Sequence, residues 1–371
     1  MANPRILLMG KDLYAMGVLN TIPEINETKG FGRGKLSPSD MTLEVKNFDD
    51  QFSIDNPASF LYGSNWQFSN VKAWDSDNNL FADCICANIT RNHVTKMVSI
   101  ILKDIIFQNR KTAIAYTSSD WETAATAAYN IMIQEGLTTA DFNNTLIQNS
   151  ISQLTAAACY VKVNIALQDN VTLLTALEKL GPYGGADVFM YRNKICYQHW
   201  QPFTGGTSVS FNYNVASQRP RTAPIISTME SSFYNDYNIG YEGDLNVPAT
   251  DTANGNIGDA SRTRFGTQKA PEIRCNSSSV NMIAVKDLTS AKYIGETFIK
   301  YGHSSLTPKP KVLQVINFDI DYSYRLNVDL GTYFKMTFSE EGWDNKVFEV
   351  AGIKRSLDKQ NIAIEAWECA V

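Results

Sequence analysis

Hydrophobic and polar residues alternate with a period of two in short runs near both ends of the chain, the pattern of strands with one buried face. Near the amino terminus Met41, Leu43 and Val45 alternate with Thr42, Glu44 and Lys46. The cluster Asp75 to Asn79 (DSDNN) parts Val71–Trp74 from LFADCICANIT, which predicts a hairpin loop. Val94 to Asp104 is rich in β-branched residues and predicts a further buried strand. Towards the carboxyl terminus Ile316, Phe318 and Ile320 alternate with polar residues, as do Leu326, Val328 and Leu330, then Phe334, Met336 and Phe338. The runs VFEVAGI and IAIEAWE complete this second β region.

Between about 115 and 205 the period lengthens to roughly three and a half residues, which predicts helices. Ser119 and Glu122 have the spacing of a capping box, Trp121, Ala124, Ala125, Ala128 and Ile131 share a face, and Gly136 closes the helix. Phe142, Leu146, Ile147, Ile151 and Leu154 form the stripe of a second helix. After a strand at CYVKVNIA, Asn170 is placed to cap a third helix with Leu173, Leu174, Leu177 and Leu180 inward, stopped by Gly181 and Pro182. ADVFMYRNKICYQHW then predicts a hairpin turning at Arg192, Asn193 and Lys194. Gly240 to Arg262 is poor in large apolar residues and predicts a long loop, followed by a helix near 287–301 with Leu288, Ala291, Ile294 and Phe298 on one side. The expectation is a mainly β chain with an α+β middle section: a β domain over 1–112, a mixed domain over 113–208, and a second β domain over 209–371 that holds the 240–262 loop.

At 371 residues, 44% hydrophobic and 19% charged, the chain has enough apolar material for two or three folded domains. A net charge of −5 supplies no basic footprint for phosphate backbones or anionic lipid. No segment approaches the roughly 18 apolar residues of a membrane span, and Lys11 and Asp12 interrupt the first apolar stretch, so no secretion signal is expected. The six cysteines, at 84, 86, 159, 196, 275 and 369, contain no Cys-x-x-Cys pair and read as free thiols. The histidines at 93, 199 and 303 lack ligand spacing, so neither a metal nor another cofactor is expected.

Nucleophile elbows, phosphate loops and dinucleotide fingerprints are missing from any strand-to-helix context. Glycoside hydrolysis needs only two carboxylates, for which Asp319, Asp321, Glu340 and Glu341 are the candidates; but Glu340 and Glu341 adjoin Gly342 in a polar turn, and Asp319 and Asp321 fall on the solvent side of a strand. Asp251, Asn254, Asn256 and Asp259 offer oxygen donors without the spacing of an EF-hand, which favours an uncoordinated loop. No enzymatic activity is expected.

The order of segments resembles the baseplate hub and tail-tip proteins of tailed phages and related contractile injection machines. SDMTLEVKNFDDQFS, VKAWDSDNNLFADCICANITR and VTKMVSIILKD resemble the family's first tube domain, with Asp83 or Cys84 where an "F-x-G-x-I" motif has glycine. NVTLLTALEKLGPYGGADVFMYRNKICYQHW resembles its helix and hairpin. SRTRFGTQKAPEI, with Arg264, Phe265 and Gly266, resembles a recurring Ser-x-x-x-Tyr-Gly turn; NVDLGTYFKMTF, with Leu330 and Gly331, resembles a Leu-Gly-Asp strand start in which Thr332 replaces Asp. VFEVAGIKRSLDKQNIAIEAWE resembles the closing hairpin. The resemblance implies two related β-barrel tube domains flanking the helix-and-hairpin domain, and a homotrimer whose six barrels join a hexameric tail tube or distal tail protein to a threefold spike or tip. It further implies a virion tail component assembled in the host cytoplasm, with the tape-measure protein and DNA passing through its lumen without specific binding. A hexameric distal tail ring and a carbohydrate-binding or depolymerising tip protein are the alternatives.

Overall fold

The computed structural model describes residues 3–29, 40–104, 113–200, 206–207, 209–228, 236–242, 244–249, 267, 283–302, 304–305, 311–312, 314–357 and 361–369. The opening module contains β1 (Arg5–Leu8), β2 (Lys11–Asp12), β3 (Glu24–Thr28), β4 (Asp40–Lys46), β5 (Asn70–Trp74), β6 (Leu80–Asn92) and β7 (Met97–Lys103). Successive side chains on a strand point to opposite faces, so Met41, Leu43 and Val45 of β4 meet Val98, Ile100 and Leu102 of β7 in one core. The β5–β6 loop follows from its acids and amides. The Asp75 carboxylate accepts the backbone N–H groups of Asp77 and Asn79 at 2.8 and 3.0 Å, and Asn78 takes φ +64°. Asn92 likewise accepts from Val94 and Thr95 at 3.0 and 3.1 Å, so Val94, expected in a strand, is a turn residue and β7 starts at Met97.

The middle unit begins with β8 (Tyr116–Thr117), α1 (Ala124–Gln134), α2 (Asn144–Ala156), β9 (Val161–Ile165), α3 (Leu173–Tyr183), β10 (Ala186–Tyr191) and β11 (Lys194–His199). Arg192 and Asn193 turn the β10–β11 hairpin with φ +48° and +59°, the twist that two-residue hairpin loops require. Four helix boundaries differ from the sequence expectation. Phe142, expected on the stripe of α2, lies before its cap Asn143 and bridges to Ile195. Thr123, not Ser119, caps α1 by accepting from Thr126 N at 3.0 Å, while Glu122 is drawn away to Tyr116, Ser118 and Asn130 and Trp121 stays outside the helix. Thr172 rather than Asn170 caps α3, because Asn170 is left-handed at φ +52°. Pro182 lies inside the last turn of α3 instead of ending it.

The chain continues through β12 (Val209–Asn212) and β13 (Ile225–Thr228), then β14 (Tyr237–Tyr241), β15 (Asp244–Ala249), β16 (Ile283–Val285), α4 (Leu288–Gly302), β17 (Ser304–Ser305) and β18 (Lys311–Val312). It closes with β19 (Gln314–Asp321), β20 (Tyr333–Phe338), β21 (Trp343–Ser356) and β22 (Asn361–Glu368). Two expectations for this part are corrected. The loop over 240–262 is a β14–β15 hairpin as far as Ala249, and its remainder, with the candidate donors 251, 254, 256 and 259, lies outside the described residues. The boundary of the last domain is also redrawn. Tyr237, Ile239, Val285, Ile294 and Phe298 pack in the core of the middle unit with α1, α3 and β9, where β16 pairs with β9, because their side chains complete that core and not the sheet of the closing strands. Leu326 and Val328, expected in a strand, belong to a 3-10 turn over Tyr322–Leu326 and its exit, capped when Asp321 accepts from Ser323 N at 2.9 Å.

The chain is thus mainly β with an α+β middle section between two β modules, and the two modules run into one 13-stranded sheet whose path is open at both ends among the described residues. No helix among the described residues is long and apolar enough to cross a membrane.

Candidate functional site

The β modules repeat one backbone plan. In the opening module the strands lie in the order β3-β4-β7-β6-β5; in the closing module the order is β13-β19-β22-β21-β20. Each fourth-in-sequence strand is long, 13 residues in β6 and 14 in β21, and each carries a bulge against its hairpin partner at an alanine, Ala87 or Ala351. The approach to each module's third strand, β5 or β20, is also shared. Phe68, at φ +63°, donates its N–H to Cys86 O at 2.7 Å, and Gly331, at φ +78°, donates to Val350 O at 2.8 Å. Asn78 and Gly342, both near φ +65°, then turn into β6 and β21. Around the bulges the sequence itself repeats, Ala-Asn-Ile-Thr-Arg at 87–91 and Ala-Gly-Ile-Lys-Arg at 351–355.

The modules meet where β3 lies antiparallel on the half of β21 beyond its bulge, pairing Thr28 with Gly352 through Glu24 with Ser356. Gly352 lets the strands close up, since a Cβ there would stand 3.1 Å from Cβ of Glu365 and 3.6 Å from Cγ2 of Thr28. Two ion networks pin the joint. Glu27 and Arg355, both almost fully buried, pair directly; Glu27 also accepts from Arg192 N at 3.2 Å, and Asp329 takes the Arg192 guanidinium at 2.9 Å and the Tyr191 hydroxyl. Burial alone would lower the Arg355 pKa; Glu27 and Asp329 reverse that and hold it above its ordinary value. Lys29, just past β3, lies 3.2 Å from Asp187 of β10, bonds Glu349 of β21, and reaches Gln198 of β11 at 3.2 Å. For Lys29 too, burial works against the charge, and Glu349 and Asp187 hold the ammonium well above its usual range. One short peptide therefore ties the opening module to both the closing module and the hairpin of the middle unit.

Leu330 is buried in the closing core, and Gly331 sits at the edge of this joint, where an added Cβ would lie 3.6 Å from the Gln198 Oε1 and 3.9 Å from the Glu349 Oε1. Arg264, Phe265 and Gly266 lie outside the described residues. Sequence reading missed Glu27, Lys29, Asp187, Glu349 and Arg355; of these only Arg355 lies in a repeated pentad. Glu340 and Glu341 form a 3-10 turn closed by Gly342, and Asp321 pairs with Arg221 at 2.7 Å, with its carboxyl held at about 2 by the Ser323 N–H and Arg221. Among the described residues no group of three His, Cys, Asp or Glu side chains could hold a metal ion. Burial pushes the thiols of Cys86, Cys159 and Cys196 up to about 12, so they are poor nucleophiles. This is an arrangement that fixes parts together and presents edges.

No family model matches the chain, and no curated protein does. Among solved structures, the 43 kDa tail protein of prophage MuSo2 from Shewanella oneidensis superposes with a TM-score of 0.57 at 11% identity, over 98% of this chain and 97% of that one. The tail protein from Neisseria meningitidis MC58 gives 0.55 at 9% identity, over 99% and 96%. The chain has the phage tail-protein fold. Both superpositions run over nearly whole chains, so the shared fold is not confined to one module.

Proposed function

We propose that the chain is a non-enzymatic structural hub of a phage-type tail, three copies of which form a ring of six sheet modules that adapts a sixfold tail tube to a threefold tip. The carrying observation is the repeated strand order, β3-β4-β7-β6-β5 and β13-β19-β22-β21-β20, joined edge to edge in one chain. A chain with two equivalent modules matches sixfold order with three copies while keeping threefold order in everything that is not repeated, such as the middle unit. Six copies would present twelve modules, which disfavours the hexameric distal ring.

In this reading one face of the ring meets the tail tube or a distal tail protein and the other meets a spike or tip protein, in the virion tail, after assembly in the host cytoplasm. The lumen passes DNA and the tape-measure protein, and the net charge of −5 supports a channel that repels a polyanion rather than grips it. Native mass spectrometry of the purified chain tests the proposal: a mass of three chains is expected, and a monomer or hexamer overturns it. Incubation with cell-wall polymers is expected to release no products; turnover abolished by Glu340→Gln or Glu341→Gln would point to the depolymerising tip protein instead.

A further inference from the structure

The equivalence of the modules has one gap. Each half of β21 has a partner on its outer side, β20 before the bulge and β3 after it. β6 has β5 before its bulge, but from Asn88 to Asn92 it pairs only with β7 among the described residues. Conversely β3 lies between β4 and β21, whereas its counterpart β13 pairs only with β19 among the described residues. Two edges thus remain bare among the described residues, and each is what the other lacks. They cannot meet within one chain: six strands separate β13 from β6 along the sheet, a span of roughly 30 Å at ~4.8 Å per strand spacing.

We infer that β13 of one copy lies antiparallel on the Asn88–Asn92 half of β6 of a second copy of this chain, repeating between chains the joint that β3 and β21 make within one. The inference rests on the ring reading above, and it fixes a register. The shared bulge aligns Asn88–Asn92 with Gly352–Ser356. The pairing of Asn26 with Asp40 and of Ser227 with Val315, in strands aligned through their own ladders, sets Ser227 in the place of Asn26. Lys354 faces Asn26 in the internal joint, so Thr90 faces Ser227 of the neighbour. Ile89 then faces Thr228, Arg91 faces Ile226, and Asn92 faces Ile225.

Side-chain orientation agrees independently with this register. Ile89 is buried and Ile226 half-buried towards their own cores, as Ile353 and Ile25 are, while Thr90 and Ser227 are exposed, as Lys354 and Asn26 are. Ile225, 72% exposed on a strand edge, gains cover. The outward N–H of Ile89 is held at 2.9 Å by the Asn88 side chain, a placeholder that a neighbouring strand replaces. Bare edges with the same geometry as a filled joint also account for closure, because each copy offers one of each kind and the contact is head-to-tail.

The chemistry of the two joints differs in a measurable way. Inside the chain the joint carries the Glu24–Lys354 pair at 2.6 Å and the buried Glu27–Arg355 pair. Between chains the same places hold Ile225 and Thr90, and Thr228 and Arg91, with no carboxylate among them. The contact between copies is therefore carried by backbone hydrogen bonds without an ion pair, and salt should not dissolve it.

The test is a disulfide at the exposed pair. Thr90→Cys/Ser227→Cys, oxidised with diamide and run on a non-reducing gel, is expected to give a covalent trimer, with either single variant leaving monomer. The register-shifted pairs Asn88→Cys/Ser227→Cys and Asn92→Cys/Ser227→Cys should remain uncross-linked. Thr228→Pro, which removes a donor on the outer side of β13 only, should convert trimer to folded monomer by light scattering and circular dichroism. A particle that is trimeric by light scattering but yields no cross-link at 90/227, or yields one at a shifted pair, overturns the register and spares the ring. A wild-type chain that is monomeric overturns both.

Discussion

Beyond Ala351 the edge of β21 carries a strand, a buried ion pair and a hairpin of the middle unit; beyond Ala87 the edge of β6 carries none of these among the described residues. The backbone is otherwise the same at the two places: a long strand, an alanine bulge, a left-handed residue before the preceding strand and another in the hairpin turn. Backbone plan and side-chain chemistry are therefore set separately here. Repetition of the first yields a near-sixfold arrangement of modules, and divergence of the second decides which joints are permanent and which are made on assembly. Arg91 and Arg355 show the divergence most sharply, since the same residue at the same place is half-exposed in one module and deeply buried against Glu27 in the other.

The largest expected effect comes from breaking that contrast. Glu27→Ala leaves Arg355 charged and buried, and breaking a buried pair from one side costs about 3–5 kcal/mol; urea denaturation should show it as a lowered midpoint. Lys29→Met should fall in the same range, because it strands Asp187 and Glu349 without a cation. Arg91→Ala, at the equivalent site, should change stability by about 0.5 kcal/mol or less. Replacing both partners, Glu27→Leu with Arg355→Met, should recover most of the loss. If the double variant is as unstable as Glu27→Ala, the pair does more than neutralise itself, and the joint depends on its wider hydrogen bonds to Arg192 and Asp329.

A smaller effect is expected at the two left-handed residues that enter β20 and β5. Gly331→Ala forces a Cβ into φ +78° and should cost about 1–2 kcal/mol. At φ +63° Phe68 already bears that strain, so Phe68→Gly should relieve it, and with the loss of its half-exposed ring the net change should stay within about 1 kcal/mol. Thermal melts of the two variants decide whether the backbone strain is equivalent, as the shared geometry requires.

These contrasts explain which parts of the molecule were legible in the sequence. Alternation over Met41–Val45 and Ile316–Ile320 marks strands because a one-sided core needs every second residue, and the α4 stripe of Ala291, Ile294 and Phe298 is equally local. Side-chain competition hid the helix starts: Glu122 bonds Tyr116 and Ser118, and Thr123 takes the cap. The Leu326–Leu330 alternation misled because Asp321 caps a turn there, leaving Leu326 at 71% exposure. The joint was illegible for a different reason. Glu27, Lys29, Asp187, Glu349 and Arg355 look like ordinary charged surface residues, and only the approach of β3, β10 and β21, more than a hundred and fifty positions apart, buries them together. The allocation of Tyr237, Ile239, Ile283, Val285, Ala291, Ile294 and Phe298 to the middle unit depends on the same long-range packing.

The smallest effect concerns the support that the middle unit gives to one module and not the other. Phe189 and Cys196 of the β10–β11 hairpin sit in the closing core, and His199 at its end holds that hairpin to α4, with Nδ1 2.6 Å from Gly184 O and Nε2 2.7 Å from the Tyr293 hydroxyl. Burial lowers the His199 pKa below its ordinary 6.5, while its bonds to the Gly184 and Gly185 backbone oppose that shift. The neutral ring donates from Nδ1 and accepts at Nε2; a second proton would force the Tyr293 hydroxyl to turn from donor to acceptor and would place a charge in a buried site. As pH falls through 6.5 the unfolded chain takes up this proton before the folded chain does, so the contribution of His199 is complete above 6.5 and declines below it. The unfolding midpoint should therefore fall between pH 7 and 5 more steeply in the wild type than in His199→Gln, whose amide keeps a donor and an acceptor at every pH. Hydrogen exchange should localise the loss to β10, β11 and the closing strands they cover, with β4 and β7 of the opening module unchanged; equal loosening of both modules would mean that the hairpin does not favour one of them.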